Sequence, residues 1–249
     1  MSKRVSWHEK DPELFRSEKL LLEKYFPTLR MVEGENLIYV EGDLPLKYKI
    51  KEVEIDDLWK ILIIIPFDYP NSLPLVKEAG GRIEPTLDRH FFPAGHACLC
   101  HASEWRYYFS PKESNLKDFL EKLVIPFFYG QSYFEKTDGE WPFGEYKHGS
   151  GGMFQFYSSK LNIDDVKALF NCIKLLERGS VIKGHWDCPC ESSRKIRDCH
   201  PDLLISLNGM KDFVYPEDAA RDLKHLRQEI ENIRKRQEQS QQQTRPQIL

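Results

Sequence analysis

The sequence predicts an α+β domain, in which an N-terminal helix precedes an antiparallel meander, a cysteine-containing loop and further helices, followed by a small helical module. Three observations predict this organisation. An amphipathic segment covers residues 11–27, β-rich alternating segments fill residues 36–67, and a second cysteine cluster at 188–200 is flanked by helix-forming sequence. With 249 residues, the chain is long enough for one large domain or two small ones.

The first elements follow from hydrophobic periodicity. Leucines at helical spacing among charged residues predict a helix over 11–27, which Pro27 ends. Alternating β-rich stretches separated by Gly, Pro and Asp predict an antiparallel meander with strands at 36–46, 48–55 and 59–67. The prolines of 68–76 exclude a helix and an ordinary central strand, so this segment is expected to be an ordered loop.

The second half of the chain is predicted to be helical. We expect a helix over 115–128 capped by Ser114 or Asn115, and an irregular Gly- and aromatic-rich segment over 130–152. Two more helices are predicted, one over 162–179, capped by Asn162 or Asp164 and ended by Gly179, and a highly charged one over 216–238. The domains are therefore predicted at 1–150 and 151–238, with a disordered tail at 239–249.

The charged helix over 216–238 has two interpretations. It presents a solvated face, or it docks a partner or a second copy through an apolar seam at 3-4-3 spacing. The residues of that seam are Leu223, Leu226, Ile230 and Ile233.

Composition excludes several classes of function. A formal net charge of −3 gives no global attraction to nucleic acid or to an anionic membrane. The longest apolar run, Ile61 to Ile65, is broken by Pro66 and is too short to cross a bilayer. The N-terminus lacks an apolar signal core, so we expect a cytoplasmic protein. In such a chain, six cysteines indicate catalysis or metal binding rather than disulfides.

The second cysteine cluster has the spacing of a complete zinc site. Cys188, Cys190, Cys199 and His200 form a C-x-C-x8-C-H pattern, which supplies four ligands for a tetrahedral metal ion. Four protein ligands leave no open position for chemistry, so the zinc is predicted to be structural. Basic residues between the ligands offset the charge of the thiolates, namely Arg194, Lys195 and Arg197.

The same stretch, "CPCESSRKIRDCH", resembles the SEC-C zinc motif, with its ligand spacing and basic positions intact. The departures are Glu191 and Ser193, which stand in the local turn where the motif usually has glycine.

The first cluster, "PAGHACLCH" at 93–101, permits a metal site, a redox pair or a nucleophile. Because the second cluster supplies its own four ligands, Cys98 and Cys100 are not needed to complete it. A separate zinc site that combined them with His96 and His101 would strain one short loop.

Three motifs in order resemble the ubiquitin-conjugating (UBC) family. In that family an N-terminal helix and a four-stranded meander precede a Y-P-x-x-x-P-x-V loop, a P-x-G-x-x-C-L active-site loop, a tryptophan-containing loop and a helix. The resemblance covers about residues 10–130. The matching residues are Tyr69, Pro70, Pro74 and Val76 in the first motif, Pro93, Gly95, Cys98 and Leu99 in the second, and Trp105, Ser110 and Pro111 in the third.

The resemblance assigns the catalytic cysteine to Cys98, which would accept an acyl group as a thioester and pass it to an amine. Neighbouring histidines are expected to promote ionisation of this thiol. The family's His-Pro-Asn is missing, since His90 is followed by two phenylalanines. His90, His96 and His101 are therefore candidates for the base or for oxyanion support, with His148 a looser one. Cys100 has a supporting or incidental role in this interpretation.

A UBC-like domain joined to a SEC-C-like module is similar to a bacterial group encoded in short CBASS anti-phage operons. The resemblance implies a protein partner, the C-terminus of a cGAS-like nucleotidyltransferase, which is attached to target lysines. It implies neither a nucleic acid nor a membrane partner. Because the chain has no Gly-rich nucleotide loop, a separate protein must activate the acyl group. Three alternatives stay open: cysteine-peptidase-like processing of the partner's C-terminus, a non-catalytic binding module in which Cys98 is a small buried hydrophobe, and a zinc-dependent enzyme.

Overall fold

The structure is a computed structural model that describes residues 5–34, 37–50, 52–109, 114–142 and 150–243. The chain divides into two compact units, Met1–Tyr146 and Lys147–Leu249. Ser110, Pro111 and His148, which the sequence analysis singles out, lie outside the described residues. The roles assigned to the two predicted domains remain predictions.

The N-terminal helix forms where the sequence predicts it. A short helix α1, Trp7–Lys10, is followed by α2, Pro12–Tyr25. The Asp11 carboxylate accepts a hydrogen bond from the Leu14 backbone N–H at 2.9 Å, and Pro12 occupies the first turn, where its missing N–H costs nothing. The helix ends at Tyr25, two residues before Pro27.

Within the described residues, the strands of the first unit form a four-stranded antiparallel sheet in the order β1-β2-β3-β4. The strands are β1 Leu29–Glu33, β2 Ile38–Ile50, β3 Val53–Ile65 and β4 Leu75–Glu78. Burial alternates along β3, whose inward face meets α5, and the predicted α+β architecture is confirmed.

The strand boundaries differ from those predicted. The stretch 48–55, predicted as one strand, spans the β2–β3 turn, and neither β1 nor β4 was predicted. Pro45 lies inside β2 beyond Gly42, the last residue that β1 pairs with, so its missing N–H breaks no pairing with β1.

A longer helical region than predicted follows the cysteine loop. A 3₁₀ turn, Leu87–Arg89, precedes the loop, and helix α3, Ala102–Tyr108, follows it. The chain is then helical from Leu116 to Lys136. This region comprises α4 Leu116–Phe119, a π-helical turn Leu120–Val124 and α5 Ile125–Lys136. Asn115 caps it by accepting from the Asp118 N–H at 3.0 Å, as one of the two predicted caps.

The segment 130–152, predicted to be irregular, is helical over 130–136 in α5 and over 150–152, where a helix of the second unit begins. Gln131 and Ser132 are buried there, and their side chains bond to Arg89 and Asp57 in neighbouring elements. Tertiary hydrogen bonds therefore stabilise a helix that sequence periodicity does not reveal.

The second unit is helical, with a core built from α7, α9 and α10 among others. Its helices are α6 Ser150–Leu161, α7 Val166–Glu177, α8 Ile196–Cys199, α9 Pro201–Met210 and α10 Pro216–Gln243. The cap of α7 is Asp165, which accepts from the Ala168 N–H at 2.6 Å, rather than Asn162 or Asp164. Gly179 follows the helix with φ = +67°, the left-handed conformation that suits glycine.

Helix α10 reaches Gln243, so the first residues of the predicted disordered tail 239–249 are helical. Their Gln-rich sequence has high intrinsic helix propensity, which explains the difference. Leu223 and Leu226 pack into the core of the second unit, whereas Ile230 is half exposed and the side chain of Ile233 lies outside the description. Most of the described part of the predicted seam is therefore core.

None of the helices in the described part of the chain combines the length and the apolar character that a membrane crossing requires.

Candidate functional site

The loop that carries Cys98 is a tight turn fixed to strand β4. The Gly95 N–H donates to the Phe92 carbonyl at 2.8 Å, and the Phe92 N–H donates to the His96 carbonyl at 2.9 Å. Gly95 has φ = +79°, which allows the chain to reverse there. The Ala97 N–H then donates to the Val76 carbonyl of β4 at 2.7 Å, so the sheet fixes the backbone next to Cys98.

The backbone N–H of Cys98 is hydrogen-bonded within the protein, and the residue is half buried. Its N–H donates to the His90 carbonyl at 2.7 Å, so this amide is already used within the protein. Burial, and secondarily the negative charge of Glu104, raise the pKa of the Cys98 thiol. Burial and a carboxylate both favour the neutral thiol, which is the opposite direction to the ionisation expected from the nearby histidines; that the histidines assist Cys98 stays a prediction.

Two of the candidate histidines pack against aromatic rings. His90 is buried in the left-handed conformation, φ = +55°, with its ring edge-on to Trp141 at a centroid separation of 4.6 Å. His96 stacks on Phe92 at 4.6 Å, and burial together with the Lys77 ammonium lowers its pKa. At neutral pH a neutral His96 has no positive charge with which to stabilise a thiolate.

The third histidine, His101, caps helix α3. Its Nδ1 accepts a hydrogen bond from the Ser103 N–H at 3.2 Å, and the Glu104 carboxylate accepts from the His101 N–H at 3.0 Å. The lone pair on Nδ1 is thus engaged, which assigns the ring hydrogen of the neutral form to Nε2.

Glu104 is a residue of this site that the sequence analysis missed. Its carboxylate raises the pKa of both Cys98 and Cys100 while it closes the capping box of α3. The sequence signal was the acidic residue three positions after His101, the spacing of a capping box.

Cys100 packs against the hydrophobic core of the first unit. Burial is the main cause that raises its pKa far above the ordinary value, and the Glu104 charge adds to it. Such a thiol is a poor nucleophile at neutral pH, because the thiolate is the reactive form.

A buried polar network lies beneath the loop motifs. The fully buried Glu18 of α2 accepts from the Tyr69 hydroxyl at 2.7 Å and from the Leu116 N–H at 2.8 Å. The Tyr69–Pro70 peptide bond is cis, and the Trp105 indole donates to the Pro70 carbonyl at 3.2 Å. The residues that match the first and third motifs therefore contact each other in the fold.

Helix α5 holds the chain just before His90. The Arg89 guanidinium donates to the Gln131 side-chain oxygen at 2.8 Å, and the Gln131 amide donates back to the Arg89 carbonyl at 2.9 Å. Glu135 accepts a further hydrogen bond from Arg89 at 3.0 Å. Since the next carbonyl, that of His90, receives the Cys98 N–H, this helix contributes to the position of the cysteine.

In the second unit, the predicted ligand set comes together. One atom from each of Cys188, Cys190, Cys199 and His200 lies within 4.8 Å of the others. The Cys190 Sγ is 3.3 Å from the Cys188 Sγ and 3.6 Å from the Cys199 Sγ, and the His200 Nδ1 is 3.2 Å from the Cys188 Sγ. The edge of a tetrahedral site with Zn–S bonds of 2.3 Å is about 3.8 Å, so these donors can hold a metal ion after small shifts.

The turn between the ligands holds both residues that depart from the motif in the left-handed conformation. Glu191 and Ser193 have φ of 59° and 60°, in the left-handed region. The Glu191 N–H donates to the Cys188 carbonyl at 3.0 Å, and the Cys188 N–H donates to the Arg194 carbonyl at 2.9 Å. These backbone hydrogen bonds close the turn with Glu191 and Ser193 at its two left-handed positions.

The basic residues of this turn take part in local pairs. Lys195 lies 2.8 Å from the Asp187 carboxylate, Arg194 donates to the Asp198 carbonyl, and Arg197 is 3.5 Å from the Asp198 carboxylate. Much of the positive charge predicted to offset the thiolates is thus shared with neighbouring acidic groups.

Comparisons with known proteins give a faint likeness in fold. No protein-family model matches the chain, and no curated protein matches it. Among solved structures, the yeast Vps23 UEV domain in complex with a Vps27 PSDP peptide matches with 13% identity and a TM-score of 0.34, over 47% of this chain and 80% of that chain. A complex of the Vps23 UEV with ubiquitin matches with 14% identity and a TM-score of 0.31, over 45% of this chain and 78% of that chain. At these TM-scores the two matches bear on neither the site nor its chemistry.

Proposed function

We propose that the first unit is a ubiquitin-conjugating-like acyltransferase domain with Cys98 as its nucleophile. The observation that carries the proposal is the position of Cys98. It follows a turn fixed to β4, its amide is bound to His90, and the residues of the two flanking motifs contact each other around Tyr69 and Trp105. The motif order in the sequence and these contacts support the same assignment.

The proposed chemistry has two transfers. The Cys98 thiol loses its proton and attacks the activated C-terminal carbonyl of a protein partner, whose activating group leaves as the thioester forms. A lysine amine of the target then attacks the thioester, the amide bond forms and the thiolate leaves. The raised pKa of Cys98 implies that the thiol of the chain alone is mostly protonated at neutral pH, so the first transfer needs a base that accepts this proton. By resemblance to the CBASS-encoded group, the proposed partner is the C-terminus of a cGAS-like nucleotidyltransferase, and the outcome is regulation of anti-phage signalling.

For the second unit, we propose a structural zinc ion bound by the three cysteines and His200. Thiolate and imidazole donors at this spacing suit zinc, and the ion would join the turn 188–191 to the α8–α9 junction. When bound, zinc would supply folding free energy.

The test of the acyltransferase proposal is intact-mass analysis. Cys98→Ser is co-expressed with the products of the genes adjacent to its own, which the proposal expects to include a cGAS-like nucleotidyltransferase and an activating protein. An ester adduct to the partner's C-terminal residue is expected, because an ester turns over more slowly than a thioester. Cys100→Ser is the matched control and should form the wild-type thioester. The absence of an adduct in both wild type and Cys98→Ser would show that the proposal is wrong.

One observation favours a second candidate, a non-catalytic binding module. Burial and Glu104 keep the Cys98 thiol protonated, as in an inert cysteine. If Cys98 in the folded protein is alkylated far more slowly than in the unfolded chain and forms no adduct, the binding module is preferred. The peptidase alternative would be favoured by a histidine that lowers the pKa of Cys98, and the shift here is in the opposite direction.

A further inference from the structure

The metal-binding turn contains two residues in a backbone conformation that disfavours side chains. Glu191 and Ser193 have φ near +60°, where a residue with a Cβ costs more free energy than glycine does. Glycine at either position would relieve that cost. A side chain kept at such a position is therefore of interest when it makes specific contacts.

Glu191 makes those contacts, and Ser193 does not. The Glu191 Oε1 accepts a hydrogen bond from the Asn171 amide at 3.1 Å, and its Oε2 lies 2.5 Å from the Lys167 ammonium. Within the described residues, the Ser193 side chain makes no hydrogen bond. The two left-handed residues thus differ in one respect that an experiment can use.

Asn171 joins the turn to helix α7 at a second point. The same amide nitrogen donates to the Pro189 carbonyl at 3.1 Å. The Lys174 ammonium lies 3.3 Å from the Asn171 Oδ1, which establishes which end of the amide faces the turn. Pro189 stands between the two cysteines whose sulfurs are 3.3 Å apart, so a bond to its carbonyl restrains both ligands.

Helix α7 is a rigid platform for these contacts. Its inward residues Leu169, Cys172 and Ile173 are almost completely buried in the core of the second unit. The ion pair with Lys167 contributes less, because the side chains of Lys167 and Glu191 are 74% and 49% exposed and solvent screens such pairs. The partly buried amide of Asn171 is therefore the principal contact.

We propose that Asn171 and Glu191 are positioning residues that hold the Cys188–Cys190 turn on helix α7 in the geometry for metal binding. Contacts outside the ligand shell commonly raise the affinity of a metal site. They order the ligands before the metal binds, so that less conformational entropy is lost on binding. Glu191 accordingly stabilises this turn through its side-chain contacts, whereas glycine would only avoid the steric cost of the left-handed conformation. The inference rests on the proposed metal site.

The experiment measures cobalt(II) and zinc binding by the purified full-length chain. Wild type should bind one Co²⁺ with a sulfur-to-cobalt charge-transfer band, and zinc affinity is then read by competition with a chromophoric chelator. Absence of the band in wild type would refute the metal site itself. Asn171→Asp, which replaces the donating amide by an acceptor of equal size, should weaken zinc binding about tenfold and alter the charge-transfer band.

Matched variants at the turn separate the effect of the Asn171–Glu191 contact on zinc affinity from the effect of backbone strain. Glu191→Gly should also weaken binding about tenfold although it relieves strain, whereas Ser193→Gly should bind at least as tightly as wild type. Glu191→Gln keeps the acceptor for Asn171 and should rescue affinity, and Lys167→Ala should change it less than about threefold. If Glu191→Gly binds zinc as tightly as Ser193→Gly, Asn171 and Glu191 are not positioning residues and the proposal is refuted. The comparison of Glu191→Gly with Ser193→Gly tests the proposal even if Asn171→Asp does not fold.

Discussion

At the scale of single residues, the thiols of the first unit are controlled by burial and by one carboxylate. Cys98 and Cys100 share the Glu104 charge, and desolvation is the larger cause of the raised pKa in both. The histidines, which sequence proximity suggested as activators, pack against aromatic rings or cap a helix. The electrostatic setting of a cysteine thus depends on which way its neighbours face, which spacing alone does not reveal.

Replacing Glu104 by glutamine should make Cys98 more reactive. The substitution removes a negative charge that raises the pKa of Cys98, so the thiolate fraction at pH 8 should increase. Glutamine keeps an oxygen that can accept the His101 N–H, so helix α3 should keep its cap. The measurement is the pH dependence of alkylation at Cys98, followed by mass spectrometry of its peptide. The profile should move to lower pH.

Glu54→Gln on β3 is the matched control for this experiment, since it removes one negative charge from an exposed position and should leave the profile unchanged. A Glu104→Gln profile identical to that of wild type would contradict the electrostatic assignment.

At the metal site, the ligand set could be predicted from the sequence, whereas the conformation of the turn between the ligands could not. The four ligands and their convergence followed from spacing, because a C-x-C and an adjacent Cys-His pair can close one tetrahedral shell. The left-handed conformation of Glu191 did not follow, since its support comes from Asn171, which lies 20 residues earlier in the chain. Contacts of this kind are set by tertiary packing rather than by local sequence.

At the scale of elements, α2, the Tyr69 loop and α4 are joined through one buried carboxylate. Burial raises the pKa of Glu18, although the hydrogen bonds from Leu116 and Tyr69 oppose the shift. Because the pKa is higher in the folded state than in the unfolded chain, Glu18 favours the fold most below its unfolded pKa. That contribution is lost as the pH rises through the folded pKa.

A Glu18→Gln variant isolates this effect because glutamine does not titrate. The stability of the variant relative to wild type should increase as the pH rises from about 4 toward neutrality, and the difference should then level off. Urea unfolding at several pH values measures it. A relative stability that falls with rising pH would contradict the direction of the shift. Glu18→Leu leaves the Tyr69 hydroxyl and the Leu116 N–H without their acceptor and should be less stable than Glu18→Gln by about 2 kcal/mol.

Element boundaries show where sequence periodicity is sufficient and where it is not. The cap, the first-turn proline and the amphipathic face of helix α2 all lie within or next to the helix in the sequence, and the helix forms as predicted. Strand β4 has four residues, and it exists through pairing with β3 and the Ala97 N–H. The last turns of α5 depend on Gln131 and Ser132, whose partners are distant in the sequence. Elements stabilised by distant partners are those the sequence analysis missed.

At the scale of the whole molecule, the chain consists of two compact units with different sources of stability. The first has a sheet-and-helix core that is rich in large aromatic and aliphatic side chains. The second unit includes Cys188 and Cys199 in its hydrophobic cluster, so its packing and its proposed metal site share residues. Loss of the metal should therefore affect the second unit selectively.

Removing the metal should lower the stability of the second unit and leave that of the first unchanged. Without an ion, thiolates at 3.3–3.6 Å repel one another or must be protonated, and the turn 188–191 loses its link to α8 and α9. Calorimetry of the full-length chain, with and without a strong chelator, should show one transition shifted to lower temperature by ten degrees or more, about the effect of losing several kcal/mol from a unit of this size.

Cys199→Ser should melt like the chelated protein and respond little to the chelator, whereas Cys172→Ala, which alters a buried cysteine outside the ligand set, should keep the response. A transition that ignores the chelator in the wild-type protein would show that the three cysteines and His200 do not stabilise the unit through a metal.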